Sequence, residues 1–344
     1  MRKLETITGI YSVSHFIVDF SCAYLIFSRI SGSEKWMLCL FTYNFFAFAL
    51  QMPLGIIADR LERNRLIAAA GCVLIAFSPL LSFLPVLFCS VSGLGNALFH
   101  IGAGRAVLCE SRGKFSALGI FVSPGALGIY FGTLWGEIGL LPLVAVVCVL
   151  TASAVMIWFA APRSGTESKA KASPFDMRTF VDRGFWLMLM CLFIVVWLRS
   201  YVGTTLAFPW KGEGHYALYL VIAVVFGKAL GGVSADRFGP VKTSCASLFL
   251  CAVLLLFFRT PACGVLAILL FNMTMPITLG AIFRILPEFP GFGFGILTFS
   301  LFAGLIPTIL SAQNYLTLPY GYSVACIISA GLLYYGLRER AYAV

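Results

Sequence analysis

Charge is what this sequence has least of. Only 11% of its 344 residues are Asp, Glu, Lys or Arg, and acids are outnumbered by bases, 14 to 24. So few charged groups exclude a soluble domain of this length, which needs a polar shell around its core. Long polar connections are missing too, except at residues 162–183. No sizeable domain stands outside the apolar segments, so any function must reside among them. The eleven cysteines form no C-x-x-C pair and show no metal-ligand spacing, which leaves them as small apolar packing residues. There is no nucleotide-binding loop and no His/Asp/Glu cluster of a lipid-modifying enzyme. No catalytic residue, metal or cofactor is therefore expected, and the chain is not expected to be an enzyme. The first apolar segment contains polar residues and no small-residue cleavage site, so it reads as a retained helix and not a signal peptide.

Apolar length is what the chain has in excess. Hydrophobic residues make up 60% of it, with a mean hydropathy of +0.96. Stretches long enough to cross a hydrocarbon core of ~30 Å recur throughout. Twelve are expected, at 7–29, 36–58, 66–82, 84–109, 115–135, 138–161, 184–209, 214–235, 241–258, 261–283, 291–312 and 319–337. With the amino terminus placed inside, seventeen Lys and Arg residues fall on inner loops and four on outer ones, namely Arg29, Lys35, Lys211 and Arg259. That asymmetry is a positive-inside pattern with both termini cytoplasmic. The net charge of +10 thus reflects topology, and no nucleic-acid partner is implied. The lipid bilayer is the expected surrounding, a bacterial inner membrane the expected location, and a monomer the expected state.

The sequence also repeats itself. Residues 55–65 read GIIADRLERNR and residues 232–242 read GVSADRFGPVK. Gly55, Ala58, Asp59 and Arg60 match Gly232, Ala235, Asp236 and Arg237 at a single offset of 177 residues. Within one residue of that offset, Asn96 pairs with Asn272 and Gly104 with Gly280. Two six-helix halves in the same orientation follow, residues 1–161 and 184–344, joined by a polar cytoplasmic linker at 162–183. Parallel halves with a site between them at mid-membrane are the architecture of a rocking transporter.

The glycine, three residues, Asp-Arg and further basic residues after span two resemble the signature of the major facilitator superfamily, and the second copy follows span eight. The resemblance covers essentially the whole chain. It implies an all-α fold of twelve transmembrane helices in two bundles, and a gating role for Gly55, Asp59, Arg60, Gly232, Asp236 and Arg237. The glycine permits close approach of a neighbouring helix. The aspartate favours the positive end of a facing helix and pairs with basic residues there. In the first copy Glu62 stands where Gly239 stands in the second, which puts its tight turn in question. More narrowly, SHFIVDF in span one and GLGNALFHIGAGR (93–105) in span four are similar to fosmidomycin-resistance-like exporters. Span five, with Gly119, Pro124, Gly125, Gly128 and Gly132, loosely resembles the glycine-proline pattern of antiporters.

Ionisable residues well inside spans cost at least ~2.5–3.5 kcal/mol on insertion scales and usually face a cavity or a partner. Those here are His15, Asp19, His100, Arg105, Arg199 and Lys228. Asp19 is the one acid near mid-membrane, and His15 lies a turn away on the same helix face, with Tyr11 on the same stripe. Burial and a neighbouring cation pull on a carboxyl in opposite senses, so Asp19 with His15 forms a candidate proton-coupling pair. The plainer alternative is a fixed pair tying helices together. Arg199, near the middle of span seven, is suited to a carboxylate or phosphonate, with Asp19 as an alternative counter-ion. Three interior cations against one acid favour an anionic solute. Asn96, His100, Asn272 and Thr274 supply further hydrogen bonds, and Tyr11 joins the candidate substrate residues. Arg105 and Lys228 lie toward span ends and are assigned to gating. Pro276 and the run FPGFGFG (289–295) mark places where helices bend.

These features point to a secondary active transporter of a small, possibly anionic, organic solute, coupled to protons. Export by antiport is placed ahead of uptake by symport or facilitated anion exchange. A receptor that binds without transport and a membrane-embedded enzyme are the alternatives of another class.

Overall fold

The structure, a computed structural model, describes residues 2–162, 183–310 and 319–338. The expected linker lies almost wholly outside the described residues. The described residues are built from helices, which run as twelve rods, one for each expected apolar stretch. In chain order, spans one to six are Arg2–Ile30, Trp36–Leu61, Asn64–Leu81, Pro85–Ser111, Phe115–Glu137 and Leu143–Ala160. Spans seven to twelve are Arg183–Thr205, Tyr216–Phe238, Pro240–Leu255, Pro261–Ile285, Pro290–Ile309 and Pro319–Gly336. Ten of them are long and apolar enough to cross a membrane, and span nine is a shorter apolar helix. A helix satisfies its own backbone hydrogen bonds, which is why apolar sequence of this length takes that form in lipid.

Two compact units are present. One comprises 2–112, 121–162 and 289–299, and the other comprises 113–120, 183–288, 300–310 and 319–338. In the first, span one packs along span five and span four along span three. In the second, span nine packs on spans ten and twelve, and span eight on span ten.

Several rods are interrupted where the sequence dictates. Span five breaks at Ser123, between Phe115–Val122 and Pro124–Glu137, because Pro124 has no N–H to continue the ladder. Span ten breaks at Met273, four residues after which Ile277 follows Pro276; the proline cannot donate to the Asn272 carbonyl. Span two contains a π-turn at Phe45–Ala49, a feature that inserts one extra residue into a helix. The run FPGFGFG leads into the first turns of span eleven, with Pro290 as the first helical residue.

The glycines of span five have a packing role. A Cβ at Gly128 would strike the Phe16 carbonyl, at Gly132 the Phe20 carbonyl, and at Gly136 the Tyr24 carbonyl. Spaced four residues apart, they form a small-residue stripe on which span one lies close.

Candidate functional site

Span one carries His15 and Asp19 one turn apart, and the helix places His15 Nε2 3.1 Å from Asp19 Oδ2. Span four brings His100 to the same place. Its Nε2 lies 3.0 Å from His15 Nε2 and 3.6 Å from Asp19 Oδ1, with the two imidazoles edge-on at 90°. Asn96, a turn before His100, donates from Nδ2 to Asp19 Oδ1 at 3.3 Å. The same Nδ2 lies 3.6 Å from the Cys22 sulfur. All four polar residues are shielded: His15 is 6% exposed, Asp19 8% and Asn96 3%, and the His100 side chain is 12% exposed.

The outer nitrogens of the two imidazoles are fixed. His15 Nδ1 is 2.9 Å from the Phe121 carbonyl, which sits at the break that Pro124 imposes on span five. His100 Nδ1 is 2.9 Å from the carbonyl of Asn96. A carbonyl oxygen only accepts, so each Nδ1 carries the hydrogen and donates. In the neutral state both Nε2 atoms then present lone pairs, to each other and to a carboxylate. Three electron-pair donors within 3.6 Å of one another repel unless a cation lies among them. Span five closes the site from another side. A Cβ on Gly125 would collide with His15 Nε2 and Asp19 Oδ2, so only glycine leaves that space open. The Oδ1 of Asn96 is buried with no hydrogen-bond partner among the described residues.

Tyr11 shares the stripe but is fully buried, and its hydroxyl has no hydrogen-bond partner among the described residues. In the second unit, Arg199 donates from Nη1 to the Thr278 hydroxyl at 3.3 Å, linking spans seven and ten. Asn272 donates to the Ile268 carbonyl of its own helix at 2.9 Å, and Thr274 is buried and donates to the Phe271 carbonyl. Lys228 is half-buried in span eight, and its carbonyl faces the space where a Gly119 Cβ would stand.

The repeated motif forms two similar constructions. Asp59 accepts from the backbone N–H groups of Gly291 and Phe292, both at 2.9 Å, in the first turn of span eleven. Asp236 accepts from those of Phe115 and Ser116, at 2.8 and 2.9 Å, in the first turn of span five. Carboxylates at helix N-termini satisfy donors that have no partner within the helix. The glycines permit the approach. A Cβ on Gly55 would strike the Gly291 backbone and one on Gly232 the Phe115 backbone. The pairing extends to Gly104, which packs against Phe294, and Gly280, which packs against Phe115.

The two copies differ in their cations. Arg105 donates from Nε to Asp59 at 2.7 Å and from Nη1 to Asn64 at 2.9 Å, with side-chain exposures of 3% for Arg105 and 4% for Asp59. Its charge is therefore matched in place, and it does not add to an excess of interior cations. Arg60 and Arg237 are exposed, the latter with its guanidinium 5.3 Å from the Phe238 ring. Glu62 takes the left-handed conformation, φ 53° and ψ 19°, so the first copy keeps a tight turn without a glycine. That conformation costs a side chain roughly 1–2 kcal/mol. Gly239, with φ 88°, makes the corresponding turn in the second copy.

Gly55→Ala and Gly232→Ala are each expected to destabilise the protein by about 1–3 kcal/mol, because backbone and not a flexible side chain must move. Gly9→Ala, with open space at its Cβ position, is expected to be neutral or slightly stabilising. Thermal unfolding of the purified protein checks all three, and equal behaviour at the three positions would remove the close-packing argument.

Sequence reading missed what the backbone supplies. The Phe121 carbonyl, the Gly125 cradle and the part of Asn64 in holding Arg105 carry no signature of their own. Pro124 and the spacing of Asn96 and His100 were the available signals.

No protein-family model matches the chain, and no curated protein matches it in sequence. Its fold, however, is shared with solved structures. A crystal structure of the E. coli fucose:proton symporter, FucP, aligns over 98% of this chain and 98% of its own, with a TM-score of 0.70 and 12% identity. A second, of a major facilitator superfamily transporter, FucP, in the outward conformation, covers 96% and 97%, with a TM-score of 0.67 and 14% identity. The fold is thus the all-α major facilitator fold, and the chain is an integral membrane protein.

Proposed function

We propose that this chain is a secondary transporter that moves a small organic solute by alternating access, with protons taken up at Asp19 and His15. The observation that carries the reading is the buried meeting of Asp19, His15 and His100, whose lone pairs require a cation between them. A proton is the smallest cation available, and its arrival changes the charge of a shielded site. The fold supports transport, since parallel halves of this type rock about a fixed site. The ties of Asp59 to span eleven and of Asp236 to span five are the gates, which form in one state and part in the other. Arg60 and Arg237 lie beside them on the cytoplasmic face, and Arg105 and Lys228 belong to the same gating set.

Arg199 anchors an anionic solute, with Asn272 on span ten of the same unit; Tyr11, Asn96 and His100 are the candidate solute residues of the other unit. Its polar partner among the described residues is the neutral Thr278 hydroxyl, which leaves the guanidinium's charge available to a carboxylate or phosphonate. Export by antiport, the direction implied by the narrower likeness to fosmidomycin-resistance-like exporters, is the first direction to test. Proton symport is the second, because one protein of similar fold is a fucose:proton symporter.

A thermal-shift screen of carboxylates, phosphonates, sugars and lipophilic cations identifies the solute, since a ligand of the folded state raises the melting temperature. Flux in proteoliposomes under pH gradients of both senses then fixes coupling and direction. Arg199→Gln is expected to weaken an anionic ligand by about 1.5–3 kcal/mol, the worth of a hydrogen bond to a charged group, and a neutral analogue far less. Equal losses for both ligands would reject the anchoring role.

A further inference from the structure

We propose that His15 Nε2, His100 Nε2 and the Asp19 carboxylate form a binding site for a divalent first-row transition-metal ion such as zinc. The inference uses the side chains of the proton-coupling reading but does not depend on transport. It begins from geometry. Ligands 2.0–2.1 Å from a tetrahedral ion stand ~3.3 Å apart. The two Nε2 atoms are 3.0 Å apart, and the carboxylate approaches His15 through Oδ2 at 3.1 Å and His100 through Oδ1 at 3.6 Å, all near that value. All three ligand atoms lie within 4.8 Å of one another.

The surroundings agree with such a site. A ligating imidazole usually donates its other nitrogen to a carbonyl or carboxylate, which fixes the tautomer and turns the lone pair to the ion. Both imidazoles do so here, to the carbonyls of Phe121 and Asn96. Asn96 orients the carboxylate through Asp19 Oδ1. His15 and Asp19, four residues apart on one helix face, make a natural chelating pair, and His100 supplies the third arm from span four. Gly125 keeps the space beside His15 Nε2 and Asp19 Oδ2 clear of side-chain atoms.

Chemistry selects the ion. Two imidazoles and one carboxylate suit zinc, nickel, cobalt or iron(II), whereas magnesium and calcium prefer oxygen ligands alone. Three protein ligands leave a coordination position for water, as in exchangeable rather than closed structural sites. No ligand spacing is visible in the sequence because the third ligand arrives from a different span. The ion would occupy the place of the coupling proton, so the two compete for one site.

Cobalt(II) is the probe, because its visible absorption reports coordination by nitrogen and oxygen directly. The protein is purified in detergent with any affinity tag removed, and cobalt chloride is titrated in. The expected result is a visible band saturating at one equivalent, abolished by zinc and untouched by magnesium. His215 is the only other histidine in the chain, so His215→Ala should leave the band unchanged. His100→Ala should weaken binding by more than the ~10–100-fold that loss of an outer partner costs. Gly125→Ala should act similarly, by filling the cradle while all three ligands remain. Circular dichroism and thermal unfolding verify that each variant is folded. Should a variant fail to fold, the wild-type titration and its zinc competition still decide. Absence of a saturable band in the wild-type protein would overturn the proposal, as would a band that survives in folded His100→Ala. Neither outcome touches proton coupling, which flux measurements test separately.

Discussion

Asp19→Asn is expected to abolish proton-driven accumulation of solute while leaving solute binding measurable. The substitution keeps the size of the side chain and a carbonyl oxygen to accept from Asn96 Nδ2. Its new NH2 group can donate to the His15 Nε2 lone pair, now 3.1 Å from Asp19 Oδ2. The cluster thus stays hydrogen-bonded, and little stability should be lost. What disappears is the ionisable group: an amide neither binds nor releases a proton in this range. A gradient of protons then has nothing to act on at this position, and only downhill exchange of solute remains. The polar groups around it include His15, His100, Asn96 and, beyond Asn96, Cys22 and Tyr43. Of these, the two imidazoles are the groups able to share the proton, so His15→Asn should disturb coupling less completely than Asp19→Asn. Flux in proteoliposomes under an imposed pH gradient decides the matter. Intact accumulation by Asp19→Asn would make the aspartate a structural tie between spans one and four.

Part of that cluster is legible in one dimension, and part is not. His15 and Asp19 fall together because helical spacing fixes neighbours within one span. Their burial follows from the apolar residues around them. The sequence groups His100 with the solute residues, because periodicity states which face of a helix is polar, not which helix that face will meet. Its place beside His15 depends on the packing of spans one, four and five, and so on Gly125, Gly128 and Gly132, whose lack of side chains sets those distances. The Phe121 carbonyl is a backbone group, identical in every residue, and only the break at Pro124 hints at it. By contrast, the motif pair could be read almost completely. An aspartate one turn past a glycine, twice at the same offset, predicts a helix N-terminus approaching each, and spans eleven and five supply them. The expectation of an excess of three interior cations fails at Arg105, because Asp59 approaches it from another span, across 46 residues of sequence.

That pairing makes the two motif copies energetically unequal, although their sequences align. Asp59→Ala should destabilise the protein far more than Asp236→Ala. In the first copy the carboxylate is almost wholly buried, and its removal strands the Arg105 guanidinium, 3% exposed, with Asn64 as its remaining close partner and Glu62 a distant 3.8 Å away. Removing one member of a buried ion pair costs about 3–5 kcal/mol, most of it the cost of the uncompensated charge. In the second copy Asp236 is exposed, and water can replace the carboxylate at the Phe115 and Ser116 amides. Loss of a carboxylate at such a helix end costs about 0.5–2 kcal/mol. A double variant separates charge from capping. Arg105→Met added to Asp59→Ala removes the stranded cation, and should recover a large part of the loss, leaving the penalty of the uncapped Gly291 and Phe292 amides. Thermal unfolding of the four proteins measures this. Equal losses for Asp59→Ala and Asp236→Ala, with no recovery in the double variant, would show that the buried guanidinium is solvated by other means. The expected inequality also gives the two ties different strengths: both are bonds from backbone amides to a carboxylate, but the carboxylate at span eleven is fixed by a buried arginine, whereas that at span five is within reach of water. A rocking cycle built on this chain would then open the second tie at lower cost than the first.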